Sequence, residues 1–154
     1  VKRGLLFVAE IPRALSDAGV DFDAAGAILA HTCLRCEAED KGVRARACLF
    51  FAEALAQMLD VELEADLVDK IEEVLLRRLK DRAPNVRAAA AKTAALLQED
   101  DGSGGVRKIT RELIRRMSSD TSKDVRVNAV ASVALSPETL APLLERLRDL
   151  KLEA

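Results

Sequence analysis

The chain has 154 residues, the size of one domain, with 49% apolar and 32% charged residues, which excludes an intrinsically disordered chain. No run of about 18 apolar residues occurs, so no transmembrane helix is expected. The formal net charge of −2 hides a segregation: residues 60–76 carry seven acids and one lysine, and residues 77–92 six bases and one acid, which leaves room for a basic face.

Residues 4–17 read as a first helix, complicated at its end by Pro12. Phe22 to Cys36 forms a second, and the polar turn "EAEDKG" follows. In 43–59 the apolar positions Val43, Ala47, Phe50, Phe51, Ala54, Leu55 and Met58 fall on one helical stripe. Leu67, Ile71, Val74, Leu75 and Leu79 line a helix from about 65 to 80. Pro84 stands where the next helix starts, a position that tolerates its fixed φ, and the buried face of that helix is Val86, Ala89, Ala90, Thr93, Ala94 and Leu97. "QEDDGSGG" at 98–105 is the strongest breaker in the chain. Beyond it come Val106 to Met117, then Val125 to Val133, then a helix opening at Ser136-Pro137 with Glu138 in its first turn.

The helices therefore group as pairs over about 22–59, 65–98 and 106–134, with a partial pair from 137 and a helix over about 4–17 ahead of them. Each pair repeats an acidic turn followed by Val-Arg: Val43-Arg44, Val86-Arg87 and Val125-Arg126, at intervals of 43 and 39 residues. A period of about 40 residues per helix pair is that of HEAT and armadillo repeats. One pair cannot bury its apolar face alone, so the expected architecture is all-α, a right-handed α-solenoid of stacked antiparallel helix pairs. The absence of Trp and Tyr fits a core built from many small aliphatic contacts. Residue 1 is Val, as expected where a chain starts inside a longer protein or after processing. No signal-peptide pattern is present, since "LLFVAEI" is too short and Glu10 interrupts it.

An ordered series of blocks carries a more specific likeness. "KGVRARACLFFAEAL", "LRRLKDRAPNVRAAAAKTAALLQEDD" and "DVRVNAVASVALSPETLAPLLERLRDLKLEA" resemble the N-terminal HEAT region of the condensin non-SMC G subunit, from about residue 25 to 154. The resemblance implies a scaffold and no enzyme. It implies a curved solenoid that binds a segment of the H-type kleisin subunit, holds double-stranded DNA with it in a basic groove, and meets the SMC subunits only indirectly. It also implies residence in the nucleus and on mitotic chromosomes, with part of the cell cycle spent in the cytoplasm, and no membrane, cofactor or metal. A plain HEAT adaptor that binds a protein peptide without nucleic acid is the alternative, because a repeat fold does not fix function.

The basic residues divide into two sets. Arg44, Arg87 and Arg126 recur at every Val-Arg turn, where a planar guanidinium suits a DNA phosphate or a carboxylate equally. Their partners are either phosphates or the acids of neighbouring turns, Asp40, Asp81, Asp120 and Asp124. Arg46, Lys80, Arg82 and Lys123 fall outside the repeat rule, near the starts of the second helices. If aligned on one concave strip they would meet duplex phosphates without sequence preference. With no aromatic residues interleaved, single-strand stacking is not expected. Arg107, Arg111 and Arg115 form a separate stripe beside Lys108, expected to face outward, with Glu112 in i±4 reach of Lys108 and Arg116.

Other chemistry is sparse. His31, Cys33, Cys36 and Cys48 can be drawn as a zinc set, yet Cys33 and Cys36 fall on an apolar helix and no second tight pair of ligands follows. Three cysteines, an odd number, argue against a disulfide framework and suit a reducing compartment. A single histidine leaves no second one for an acid–base pair, and no nucleophile elbow, phosphate loop or dinucleotide fingerprint is present. The acids from Asp60 to Glu73 are expected to charge a helix N-terminus, a basic partner being the other reading.

Overall fold

The computed structural model describes residues 24–58, 63–98 and 107–149, with isolated positions between 10 and 18 ahead of them. The helix expected over 4–17, the start at Val106 and most of the 98–105 breaker lie outside the described residues. The described part is all-α: α1 (Ala24–Arg35), α2 (Lys41–Gln57), α3 (Ala65–Arg78), α4 (Pro84–Ala94, continued by a 3-10 turn Ala95–Leu97), α5 (Lys108–Ser119), α6 (Lys123–Ser132) and α7 (Pro137–Asp149).

Each helix start has a local cause. Asp40 caps α2, its Oδ1 accepting the Val43 N–H at 2.8 Å, which satisfies one of the free first-turn donors. Pro84 is the first residue of α4, where a missing N–H costs nothing. Ser136 and Thr139 close the start of α7 reciprocally: the Ser136 N–H donates to Thr139 Oγ1 at 2.8 Å, and the Thr139 N–H to Ser136 Oγ at 3.3 Å.

The helices form two layers. The first helices α1, α3, α5 and α7 follow one another on one side, and the second helices α2, α4 and α6 pack successively on the other. Small residues make the second layer tight: Ala45, Ala47, Ala90, Ala91, Ala94 and Ala129 are all buried, so the backbones approach closely. The larger core side chains sit between the layers, among them Phe51, Leu75, Val86, Leu113 and Met117. Val86 and Val125 are fully enclosed at the starts of their helices, while Val43 is half-buried at the start of the stack.

The α-helix expected to run to Leu97 ends at Ala94 instead. The tighter turn that replaces it positions Gln98, whose Nε2 donates to the Ser132 carbonyl at 2.6 Å and whose Oε1 accepts the Ala134 N–H at 2.9 Å. One side chain thereby ties the end of α4 to the end of α6, across two successive units.

Candidate partner-binding surface

The repeated arginines turn inward. Arg44 grips Asp81 with two parallel bonds, Nε to Oδ2 at 2.8 Å and Nη2 to Oδ1 at 2.9 Å, both groups being buried. Arg87 grips Asp120 in the same way, with both bonds at 2.8 Å. Each guanidinium has a third task. Arg44 Nη1 donates to the Ala38 and Glu39 carbonyls, Arg87 Nη1 to the Asp81 and Arg82 carbonyls, and Arg126 Nη1 to the Asp120 and Thr121 carbonyls. The arginine of one second helix thus closes its own turn and reaches forward to the acid that ends the next first helix. Each acid in turn fixes the start of its own second helix, Asp81 accepting the Ala83 N–H and Asp120 the Ser122 N–H, both at 2.9 Å.

Electrostatics favours these rungs. Burial alone would raise the pKa of both aspartates. The guanidinium bonds, the turn N–H and the nearby charges outweigh it and hold both below the usual carboxylate range. A second arginine supports each acid from its own first helix: Arg78 lies 3.3 Å from Asp81 and Arg116 3.4 Å from Asp120. Sequence reading missed Arg78 and Arg116 as partners of the rungs. The signal was their position in the last turn of the first helix, just ahead of the acid.

Arg44 and Arg87 are therefore removed from the candidate phosphate contacts, since burial and paired carboxylates leave no face of either fork open to a duplex. Arg126 is half-buried and turned toward its own turn carbonyls. Of the four acids named as alternatives, Asp81 and Asp120 form the rungs, Asp40 is a helix cap, and Asp124 lies exposed in the first turn of α6.

The bases outside the repeat rule stay at the surface. Arg46, Lys80, Arg82 and Lys123 are exposed. Lys80 and Arg82 lie in the α3–α4 turn, Lys123 opens α6 and Arg46 sits in the second turn of α2. Among the described residues none of Arg46, Arg82 and Lys123 forms an ion pair, whereas Lys80 stands 3.8 Å from Glu112. Acids share this edge, because Glu39, Asp40 and Asp124 are also exposed there. Of the α5 stripe, Arg107 bonds Glu72 at 2.6 Å, while Lys108, Arg111 and Arg115 are exposed. Glu112 pairs with Arg116 and meets Lys80 across the units rather than Lys108.

The second helices also bound a groove of about 550 Å³ that the sequence did not reveal. Its floor is Leu49, Ala88 and Ala89, and its rim carries Asn85, Lys92 and Asn128.

The cysteines are core residues. Cys33, Cys36 and Cys48 are buried as free thiols, with the Cys36 and Cys48 sulfurs 4.0 Å apart, and His31 is exposed. The Cys48 contact and burial push the Cys36 thiol up, and burial does the same for Cys33, so neither is poised as a thiolate. Among the described residues no group of three or more His, Cys, Asp or Glu side chains is placed to hold a metal, and no helix is long and apolar enough to cross a membrane.

Comparison with known proteins identifies this arrangement of stacked pairs. No family model matches the chain. Condensin complex subunit 3 of Schizosaccharomyces pombe is 33% identical over 149 residues, 96% of this chain and 16% of the relative. The chain belongs to the condensin subunit 3 family. The human subunit 3 is 31% identical over 118 residues, covering 75% of the chain and 11% of the relative. The crystal structure of the S. pombe condensin Cnd3-Cnd2 subcomplex matches with a TM-score of 0.80 at 30% identity, over 96% of this chain and 18% of that one. The chain thus spans about one sixth of the S. pombe relative, and its architecture is that of a condensin HEAT-repeat solenoid.

Proposed function

We propose that this chain is a non-enzymatic scaffold segment of a condensin subunit 3, which works with the kleisin subunit to hold double-stranded DNA on chromosomes in the nucleus. The observation that carries the reading is the structural likeness, over nearly the whole chain, to a subunit solved together with Cnd2. The DNA contact is assigned to the exposed bases Arg46, Arg82 and Lys123, with Lys80 beside them. Exposed lysines and arginines on a turn edge neutralise phosphates without reading bases, so binding would be independent of sequence and steeply weakened by salt. The groove floored by Ala88 and Ala89 gives a peptide segment a place to lie between the second helices.

A second reading has its own support. The rungs hold Arg44 and Arg87, and acids interrupt the basic edge, which favours a protein adaptor without nucleic acid. Duplex-DNA binding across a salt series, by the subunit with its kleisin segment, separates the two. Charge reversal at Arg46, Arg82 and Lys123 is expected to weaken binding several-fold and to flatten the salt dependence. Unchanged affinity and slope would leave the adaptor.

A further inference from the structure

The groove over α4 carries a charge pattern that narrows its occupant. Asn85, Ala88, Ala89 and Lys92 fall at i, i+3, i+4 and i+7 on α4, so they form one stripe along the helix axis. The two alanines are the short middle of that stripe, with Leu49 of α2 on one side and Asn128 of α6 on the other. Lys92 closes one end. Asn85 and Asp124 close the other, each directly ahead of a buried valine, Val86 and Val125, and so at the same height in the stack. Among the described residues, the side chains of Asn85, Lys92 and Asp124 form no ion pair or hydrogen bond, and all three are exposed. Asn128 commits only its amide N–H, which Nδ2 donates to the Asp124 carbonyl at 2.7 Å, so its Oδ1 remains a free acceptor.

The opposite signs of the two ends decide between occupants. A nucleic-acid backbone carries charge of one sign throughout, so Asp124 would repel what Lys92 attracts. A peptide can carry both signs. Asparagine amides donate and accept, as a peptide main chain does, and the two short alanines leave room for one apolar side chain. Seven residues of helix separate the ends by about 10 Å, the length of about three residues of extended chain.

We infer that the groove binds an extended peptide of mixed charge. A carboxylate side chain meets Lys92, a cationic side chain about three residues away meets Asp124, and an apolar side chain between them rests on Ala88 and Ala89. This rests on the reading that a peptide lies in the groove, and adds the chemistry that the peptide carries. The edge bases Arg46, Arg82 and Lys123 are not among the residues that line the groove, so the duplex contact assigned to them is independent of it.

The test uses three short capped peptides with Glu-Ala-Leu-Lys, Glu-Ala-Leu-Glu and Lys-Ala-Leu-Lys at their centres. Each is titrated into the isotope-labelled chain and read from amide chemical shifts. The wild type is expected to bind the mixed peptide about two- to five-fold more tightly than either like-charged one, the worth of an exposed ion pair. Lys92→Glu should move the preference to the doubly basic peptide, and Asp124→Lys to the doubly acidic one. Each single change leaves both ends of the groove with the same sign, so the direction of the bound peptide does not matter. Ala88→Arg, which fills the floor, should abolish binding of all three. Equal affinities that only Ala88→Arg removes would overturn the charge assignment and leave the peptide reading standing. No shift at Ala88 or Ala89 with any peptide would overturn both. Duplex DNA that perturbs the same amides and loses its hold in Lys92→Glu would give the groove to nucleic acid and overturn the inference.

Discussion

Two sets of arginines and lysines occupy the same few turns and meet opposite fates. Arg44 and Arg46 are two residues apart on α2, yet the first is buried in a two-bond grip on Asp81 and the second is exposed. The difference is register. The residue directly after the buried valine points along the stack toward the next unit, and the residue three after it points away. Recurrence at every unit therefore marks the structural bases, and irregular occurrence marks those free to meet a partner. A buried charge lost from one side of a pair leaves the other unpaired, while an exposed charge is solvated with or without its neighbour.

The sharpest way to break the comparison is to truncate both kinds. Arg87→Ala leaves Asp120 buried with only Arg116 and the Ser122 N–H beside it, and should destabilise the chain by about 3 kcal/mol, read as a lower midpoint in urea unfolding. Arg46→Ala and Arg82→Ala should each stay within about 0.5 kcal/mol of wild type in the same assay. A similar cost for both kinds would erase the distinction.

Acid should reveal the same division. Asp81 and Asp120 are held below the ordinary carboxylate range in the folded state, so they bind protons less readily there than when unfolded. Their stabilisation is complete above the unfolded aspartate value of about 4 and is lost as pH falls below it toward the folded values. Unfolding midpoints should fall below about pH 4, and the fall should shrink in Asp120→Asn. An equally steep fall in that variant would assign the acid sensitivity to other carboxylates.

Much of this was legible in the sequence. The period of the Val-Arg turns and the apolar stripes on 43–59 and 65–80 mark a stacked helical array, because burial of one face per helix writes itself into spacing. The rungs were legible only as an alternative to phosphate contact. A guanidinium answers carboxylate and phosphate with the same fork, so only the direction of the side chain separates the two. The Gln98 clamp and the alanine-floored groove left no pattern, since each depends on how far one unit is offset from the next.

Thr93 gives a smaller effect than the rungs and tests whether the second layer is tied by more than its packing. Its hydroxyl, on α4, donates to the Cys48 carbonyl of α2 at 2.7 Å and lies 3.2 Å from its own Ala89 carbonyl. The group is fully enclosed between helices whose contact is otherwise made by small apolar residues. Thr93→Val keeps the shape and removes the donor. The Cys48 carbonyl already belongs to the ladder of α2, so losing this extra bond should cost only about 1 kcal/mol. Thr93→Ala should cost more, because it opens a void in the same place. No loss in Thr93→Val beside a loss in Thr93→Ala would mean that the methyl alone matters, and that only the charged rungs and Gln98 give the stack specific polar ties.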